Sequence, residues 1–278
     1  MKSNLLNTLI LAALALPGVA MAADVETTDH KAGEHAIPAS AHTVTSNMGL
    51  VSNYVYRGIT QTVEKPAVQG GIDYAHTSGL YAGVWGSNVS WITGSGATGV
   101  VPNSGNASLE LDTYAGYKGS FAADFSYDVG LVRYNYLGDY VPPATYVKAD
   151  TSEMYGAIGY KWVTAKYSYS LGDFLTVPNA KGTGYLEVNA SYALPDTGVT
   201  LGAHYGKQTY KGTATDVLVA AGTDPSYADY KLSATKDFSG YVLGLAYTNT
   251  NARSGGYYTY NGKDWGKSAV AVSVTHSM

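Results

Sequence analysis

Runs of period-two alternation follow one another from Thr43 onward, and the connections between them switch strictly between longer and tight. The tight ones read "HTSG", "KGS", "VT", "PDTG" and "FSG". The longer ones are Gly58–Lys65, Ile92–Gly105, Gly138–Thr151, Gly172–Gly184, Lys211–Tyr227 and Thr250–Asp264. Antiparallel neighbours in an up-and-down sheet meet that pattern, with short turns at one end and long loops at the other. The runs number twelve, and most have about the 9–11 residues that a tilted strand needs to cross a bilayer.

Alternation also sorts the side chains. Val68, Ile72 and Tyr74 share one face of "AVQGGIDYAH", opposite Gln69, Gly71 and Asp73. In "ASLELDTYAGY", Leu109, Leu111, Thr113 and Ala115 oppose Glu110, Asp112 and Tyr114. Leu186, Val188 and Ala190 likewise oppose Glu187 and Asn189. In hydrocarbon an open sheet edge leaves N–H and C=O groups unpaired at several kcal/mol each, so such a sheet closes into a barrel. The expected fold is therefore all-β, a transmembrane antiparallel up-and-down β-barrel of twelve strands. Its lumen face is expected to carry Arg57, Asp73, Glu110, Asp112, Asp128, Lys161, Glu187, His204 and Lys231. These charges suit either a transverse field that selects permeants or a packed ion network that fills the barrel. In "FSYDVGLVRYNY" parity turns Arg133 outward, which requires snorkelling near the outer end or a bulge.

The first residues specify a compartment. "MKSNLLNTLILAALALPGVAMAADV" has Lys2, an apolar run from Leu5 to Leu16, and Ala20-Met21-Ala22, so residues 1–22 read as a cleaved secretory signal peptide. Residues 23–42 are polar and aperiodic and read as a flexible periplasmic tail. Residues 43–278 are the barrel. The chain has no cysteine, which excludes a disulfide scaffold. A net charge of −4 argues against nucleic acid as a partner. The 26 tyrosines against 4 phenylalanines favour interfaces and wet walls over a dry core.

"SNYVYRGITQT" followed by "PAVQGGIDYAHTSGLYAGVWGSNV" resembles the start of the TorF-type porin family. Arg57-Gly58, Gln61, Pro66-Ala67, Gln69-Gly70-Gly71, Tyr81, Trp85, Ser87-Asn88, Glu110 and Asp112 carry the resemblance, which is dense over residues 48–137. It implies a bacterial outer-membrane barrel that acts as a channel, and it names no substrate. Barrels of this kind commonly end on an aromatic residue that the insertion machinery reads. Here the last residues are His276-Ser277-Met278, with Met278 apolar and of the right parity.

Other motifs lead elsewhere. "GSGATG" (Gly94–Gly99) has dinucleotide-loop spacing but no following helix, so it reads as an outer loop. His30, His35 and His42 lie among Asp29 and Glu34, a conceivable ligand set at a spacing that fits no metal pattern. A barrel hydrolase would need a serine beside a histidine. Of the barrel histidines, His76 and His276 belong to the periplasmic rim and His204 to the lumen, without a G-x-S-x-G motif. No cofactor, metal or catalysis is expected. The expected partners are outer-membrane lipid, small hydrophilic solutes or ions, and the barrel-assembly machinery. Two non-enzyme readings remain: a narrow channel, and a non-conducting barrel whose outer loops bind a partner. Arg57 is placed at the outer end of the first strand, with Tyr54 and Tyr56 facing lipid.

Overall fold

The computed structural model describes residues 40–92, 107–142, 146–252, 257–260 and 263–278. The proposed signal peptide, most of the tail with His30 and His35, and Gly94–Gly99 lie outside them. In chain order the elements are β1 (His42–Val51), β2 (Val55–Tyr56), β3 (Ile59–Thr60), β4 (Ala67–His76), β5 (Leu80–Asn88), β6 (Leu109–Phe121), β7 (Phe125–Leu137) and β8 (Thr151–Tyr160). They continue with β9 (Val163–Ser170), β10 (Gly184–Ala193), β11 (Val199–Thr209), α1 (Thr213–Ala220), β12 (Tyr227–Phe238), β13 (Tyr241–Thr250), β14 (Thr259–Tyr260), β15 (Lys263–Asp264) and β16 (Ala269–Ser277).

Twelve of these strands close one antiparallel barrel in the order β1-β16-β13-β12-β11-β10-β9-β8-β7-β6-β5-β4. Closure is made where β1 pairs with both β4 and β16, Leu50 facing Val68 on one side and Val274 on the other. Met278 extends this seam, exchanging two 2.8 Å backbone hydrogen bonds with Ser46. No barrel edge is left to expose peptide groups to lipid. The pairs β2–β3 and β14–β15 stand apart as small hairpins.

The outward face is the apolar one. Val68, Ile72, Leu131, Ile158, Leu232 and Val272 are all more than half exposed. In a monomer such a belt needs an apolar solvent. Rings mark its turn-side border: Phe121 stacks on Phe125 and Tyr241 on His276, Phe125 tilts against Tyr160, and Trp162 meets Tyr192 edge-on. Aromatic girdles sit at membrane interfaces because their rings are apolar and their tips polar.

Arg133 does face outward, and no bulge intervenes, since β6 and β7 pair without a break from Leu109↔Leu137 to Phe121↔Phe125. Its guanidinium donates to Asn135 Oδ1 (2.9 Å) and Ser152 Oγ (3.1 Å) and lies 3.5 Å from Asp150. The long stem thus reaches polar partners at the loop-side rim, the snorkelling solution.

The first strand is shorter than alternation suggests. It ends at Val51, and residues 53–62 turn into the barrel instead of rising to an outer loop. Inside, Val55 pairs with Thr60 and Tyr56 with Ile59. Arg57 and Gly58 between them have φ of 46° and 77°, as a two-residue hairpin turn of type I′ requires. Tyr54 is consequently buried in the lumen, and Tyr56 packs edge-on against Tyr134. Neither faces lipid.

Candidate lumen site and its partition

The lumen has two unlike halves. Inward residues near the short turns, such as Asp73, Asp128, Thr235 and Ser273, are partly exposed. Inward residues near the long loops, such as Glu110, Glu153, Gln208 and Asp229, are buried. Water therefore reaches the lumen from the turn side and is excluded from the loop side.

The inward hairpin causes much of that exclusion. It starts at the β1–β4 seam and reaches the far wall. Arg57 donates two hydrogen bonds to Glu153 on β8, at 3.1 and 2.7 Å, and one to Gln208 on β11 at 3.0 Å. Its guanidinium lies 4.4 Å from the ring centre of Tyr185 on β10 and 4.9 Å from that of Tyr56. The Tyr227 hydroxyl donates to the Arg57 carbonyl (2.8 Å). Tyr54 donates to Glu110 (3.3 Å) and packs edge-on against Trp85. Asn53 braces the hairpin from within, accepting from Thr60 Oγ1 at 2.5 Å.

Loops close over the hairpin. The Gln61 carbonyl accepts from the backbones of Ser90 and Trp91, and Thr60 N–H donates to the Trp265 carbonyl. Phe174, Tyr210, Tyr257, Tyr258 and Trp265 are buried in this cap. Tyr258 donates to the Pro225 carbonyl (2.9 Å), and burial pushes its phenol well above the ordinary range, so it keeps the proton it donates.

Two cavities flank the hairpin. The larger, about 310 Å³, lies against β10–β13, β16 and β1, with Glu187, His204, Asp229 and Lys231 beside the small residues Ser233, Ala246 and Ser273. The smaller, about 50 Å³, lies under the aromatic cap. Tyr56 and Arg57 line both.

The opposite wall is filled by tyrosines lying across glycines. Tyr114 lies over Gly83, Tyr81 over Gly116 and Tyr155 over Gly130, each pair directly opposite in register. The hydroxyls then reach lumen carboxylates: Tyr114 donates to Asp73 and Tyr81 to Asp128, both at 2.6 Å. Tyr81 and Tyr155 also hydrogen-bond each other. This use of glycine accounts for part of the tyrosine and glycine content, since only glycine leaves room for a ring flat on the wall.

Of the charged residues expected inside, Arg57, Asp73, Glu110, Asp112, Asp128, Glu187, His204 and Lys231 are there. Lys161 is not. Strand β8 ends at Tyr160, and Lys161, with φ 53°, occupies the tight turn before β9, half-exposed and 3.9 Å from Asp124. Parity stops carrying a residue inward once the strand has ended. Arg57 is inside, though by way of a hairpin turn and not at a strand end.

Three charged residues that the expectation missed matter as much. Glu153 holds Arg57. Lys166 lies 4.0 Å from Glu187 and 4.4 Å from the Tyr155 ring centre. Asp229 accepts from Tyr185 (2.9 Å) and lies 3.0 Å from His204 Nε2. Alternation within "SEMYGAIGY", "AKYSYS" and "ADYKL" could have placed all three. His204 Nδ1 lies 2.7 Å from Asn189 Oδ1, so both ring nitrogens face acceptor oxygens. No serine is among its hydrogen-bond partners in the described residues.

A closed antiparallel sheet with an apolar belt outside and a polar, partly wet lumen inside defines a membrane-spanning β-barrel of porin type. The chain belongs to the Gcw_chp family, described as bacterial protein of unknown function, whose profile matches residues 35–278. None of the curated proteins matches. Among solved structures, an outer-membrane channel from Pseudomonas putida F1 is similar at TM-score 0.41 and 13% identity, over 90% of this chain and 98% of that one. OprD of Pseudomonas aeruginosa is similar at TM-score 0.35 and 14% identity, over 84% of this chain and 66% of that one. At such scores neither adds to what the strand pairing itself shows.

Proposed function

We propose that this protein is an outer-membrane porin, a passive channel for small hydrophilic solutes or ions, in line with its resemblance to TorF-type porins. On this reading the first 22 residues export it, the barrel-assembly machinery inserts it, and lumen residues such as Glu187, Asp229 and Lys231 face the permeant. The observation that carries the reading is the 310 Å³ cavity inside a closed barrel, in the size range of small-ligand sites and lined in part by Glu187, His204, Asp229 and Lys231. A barrel that served only as an anchor has no need of a charged, water-reached interior. Transport of this kind involves no cofactor and no covalent step. Recording from refolded protein in planar bilayers tests it: discrete conductance steps are expected, and their absence at every voltage, in wild type and in a chain with the inward hairpin removed, refutes a channel.

A second reading, a non-conducting barrel whose outer loops bind a partner, draws on the aromatic cap that closes the loop side. It predicts no conductance and loss of partner binding when the cap loops are shortened.

A further inference from the structure

We infer that Arg57 is the residue that controls passage: its bond to Glu153 is a latch, and the hairpin carrying it is the removable partition between the two cavities. The inference rests on the channel reading and specifies where that channel is closed.

Geometry singles out this residue. Tyr56 and Arg57 are common to the walls of both cavities, so the hairpin turn stands between the smaller cavity under the cap and the larger one. The side chain spans from a hairpin rooted at β1 and β4 to Glu153 and Gln208 on the other side of the barrel. Retracting it merges the two spaces.

The hairpin is also built as a separable part. Among the described residues its backbone pairs only with itself and with the outer loops; no barrel strand pairs with Val55, Tyr56, Ile59 or Thr60. Its hold on the far wall is by side chains. A strand in the barrel ladder could not leave without opening the sheet to lipid, whereas this hairpin can move and leave all twelve strands paired. The moving end is charged and its partners are polar, so water entering from the turn-side half can take over the hydrogen bonds that the guanidinium gives up. Gly58 allows the tight approach: a Cβ there would lie 2.6 Å from Asp229 Cβ.

The test compares wild type, Arg57→Lys, Arg57→Ala, Glu153→Gln and a chain with residues 53–63 replaced by a short Gly-Ser turn, all refolded and recorded in planar bilayers. Glu153→Gln keeps the volume and removes the ion pair. Arg57→Lys keeps the charge and loses the forked geometry. Resistance of each barrel to unfolding in detergent shows which variants are folded. The expected result is a rise of at least about twofold in open probability or step size for Glu153→Gln and Arg57→Lys, a larger rise for Arg57→Ala and the largest for the hairpin replacement, since pore charge and radius set conduction. Conductance that is unchanged in folded Glu153→Gln and Arg57→Lys overturns the latch and leaves the channel reading standing. Silence from every folded chain, including the hairpin replacement, overturns the channel reading itself.

Discussion

Replacing Gly83 by alanine tests whether tyrosine-over-glycine packing builds the filled wall. A Cβ at Gly83 would lie 2.5 Å from Tyr114 Cε2 and 2.6 Å from its Cζ, closer than carbon atoms approach. Tyr114 must then tilt away from the wall, and its 2.6 Å hydrogen bond to Asp73 stretches. Overpacking of this kind costs about 1–3 kcal/mol. Losing a hydrogen bond to a carboxylate costs about 1.5–3 kcal/mol when complete. A partial tilt spares some of each, so a net loss of about 2–3 kcal/mol is expected. Backbone preference acts the other way, since alanine in a strand is favoured over glycine by about 0.5–1 kcal/mol. The sign of the measured change therefore discriminates. The assay is equilibrium urea unfolding of the refolded barrel in lipid vesicles, with Gly172→Ala as control, because a Cβ at Gly172 meets nothing within 4 Å. In a Tyr114→Ala background the cost of Gly83→Ala should vanish, as coupling between contacting residues requires. Stabilisation by Gly83→Ala alone, or an equal cost with and without the Tyr114 ring, refutes the packing argument.

Glu110→Gln should raise the free energy of unfolding in urea by about 1–3 kcal/mol, because Glu110 is buried beside the buried Asp112 and its Oε2 has no hydrogen-bond partner among the described residues. A fall in stability refutes the argument from the unpaired carboxylate oxygen. Gly58→Ala combines a φ of +77° with a Cβ in contact with Asp229, so the hairpin should unseat while the barrel stays closed. Limited proteolysis should then cut within residues 53–62 in the variant and not in wild type, where residues 58–62 are buried. Lys161→Ala, at a half-exposed turn, should leave ion selectivity unaltered and stability within about 0.5 kcal/mol, the scale of surface ion pairs. A change in selectivity measured by reversal potential would return Lys161 to the pore.

The barrel was legible because a membrane wall obeys two local rules, a period of two and an alternation of turn lengths. Both survive in a single sequence, and they place Glu110, Asp112 and Glu187 on the inner face without tertiary information. The hairpin is hidden because "VYRGIT" obeys the same period of two as the strand before it. Alternation records that a segment is extended and does not record which sheet it joins. The local clue is weak as well: the usual type I′ pair is Asn-Gly or Asp-Gly, and here only Gly58 matches, with Arg57 taking the first left-handed position. The aromatic cap was invisible for another reason. Trp91, Phe174, Tyr210 and Trp265 come from separate connections and meet only when the barrel brings the loop ends together.

Arginine is a poor choice for a permanent plug, and that bears on what the hairpin is for. The Arg57 and Glu153 side chains are 7% and 0% exposed, so both have lost nearly all their hydration. A buried pair of this kind commonly contributes no more than apolar residues of the same volume would. Tyr54 on Trp85 and Tyr56 on Tyr134 show that the same hairpin does use ring packing on its other contacts. The charge is kept for the contact with Glu153 across the lumen, between the cavities. There, an apolar tip would close the barrel as firmly and would resist water on opening. A guanidinium is anchored by hydrogen bonds while closed and is readily rehydrated when open, which is what a reversible partition requires and a filler does not.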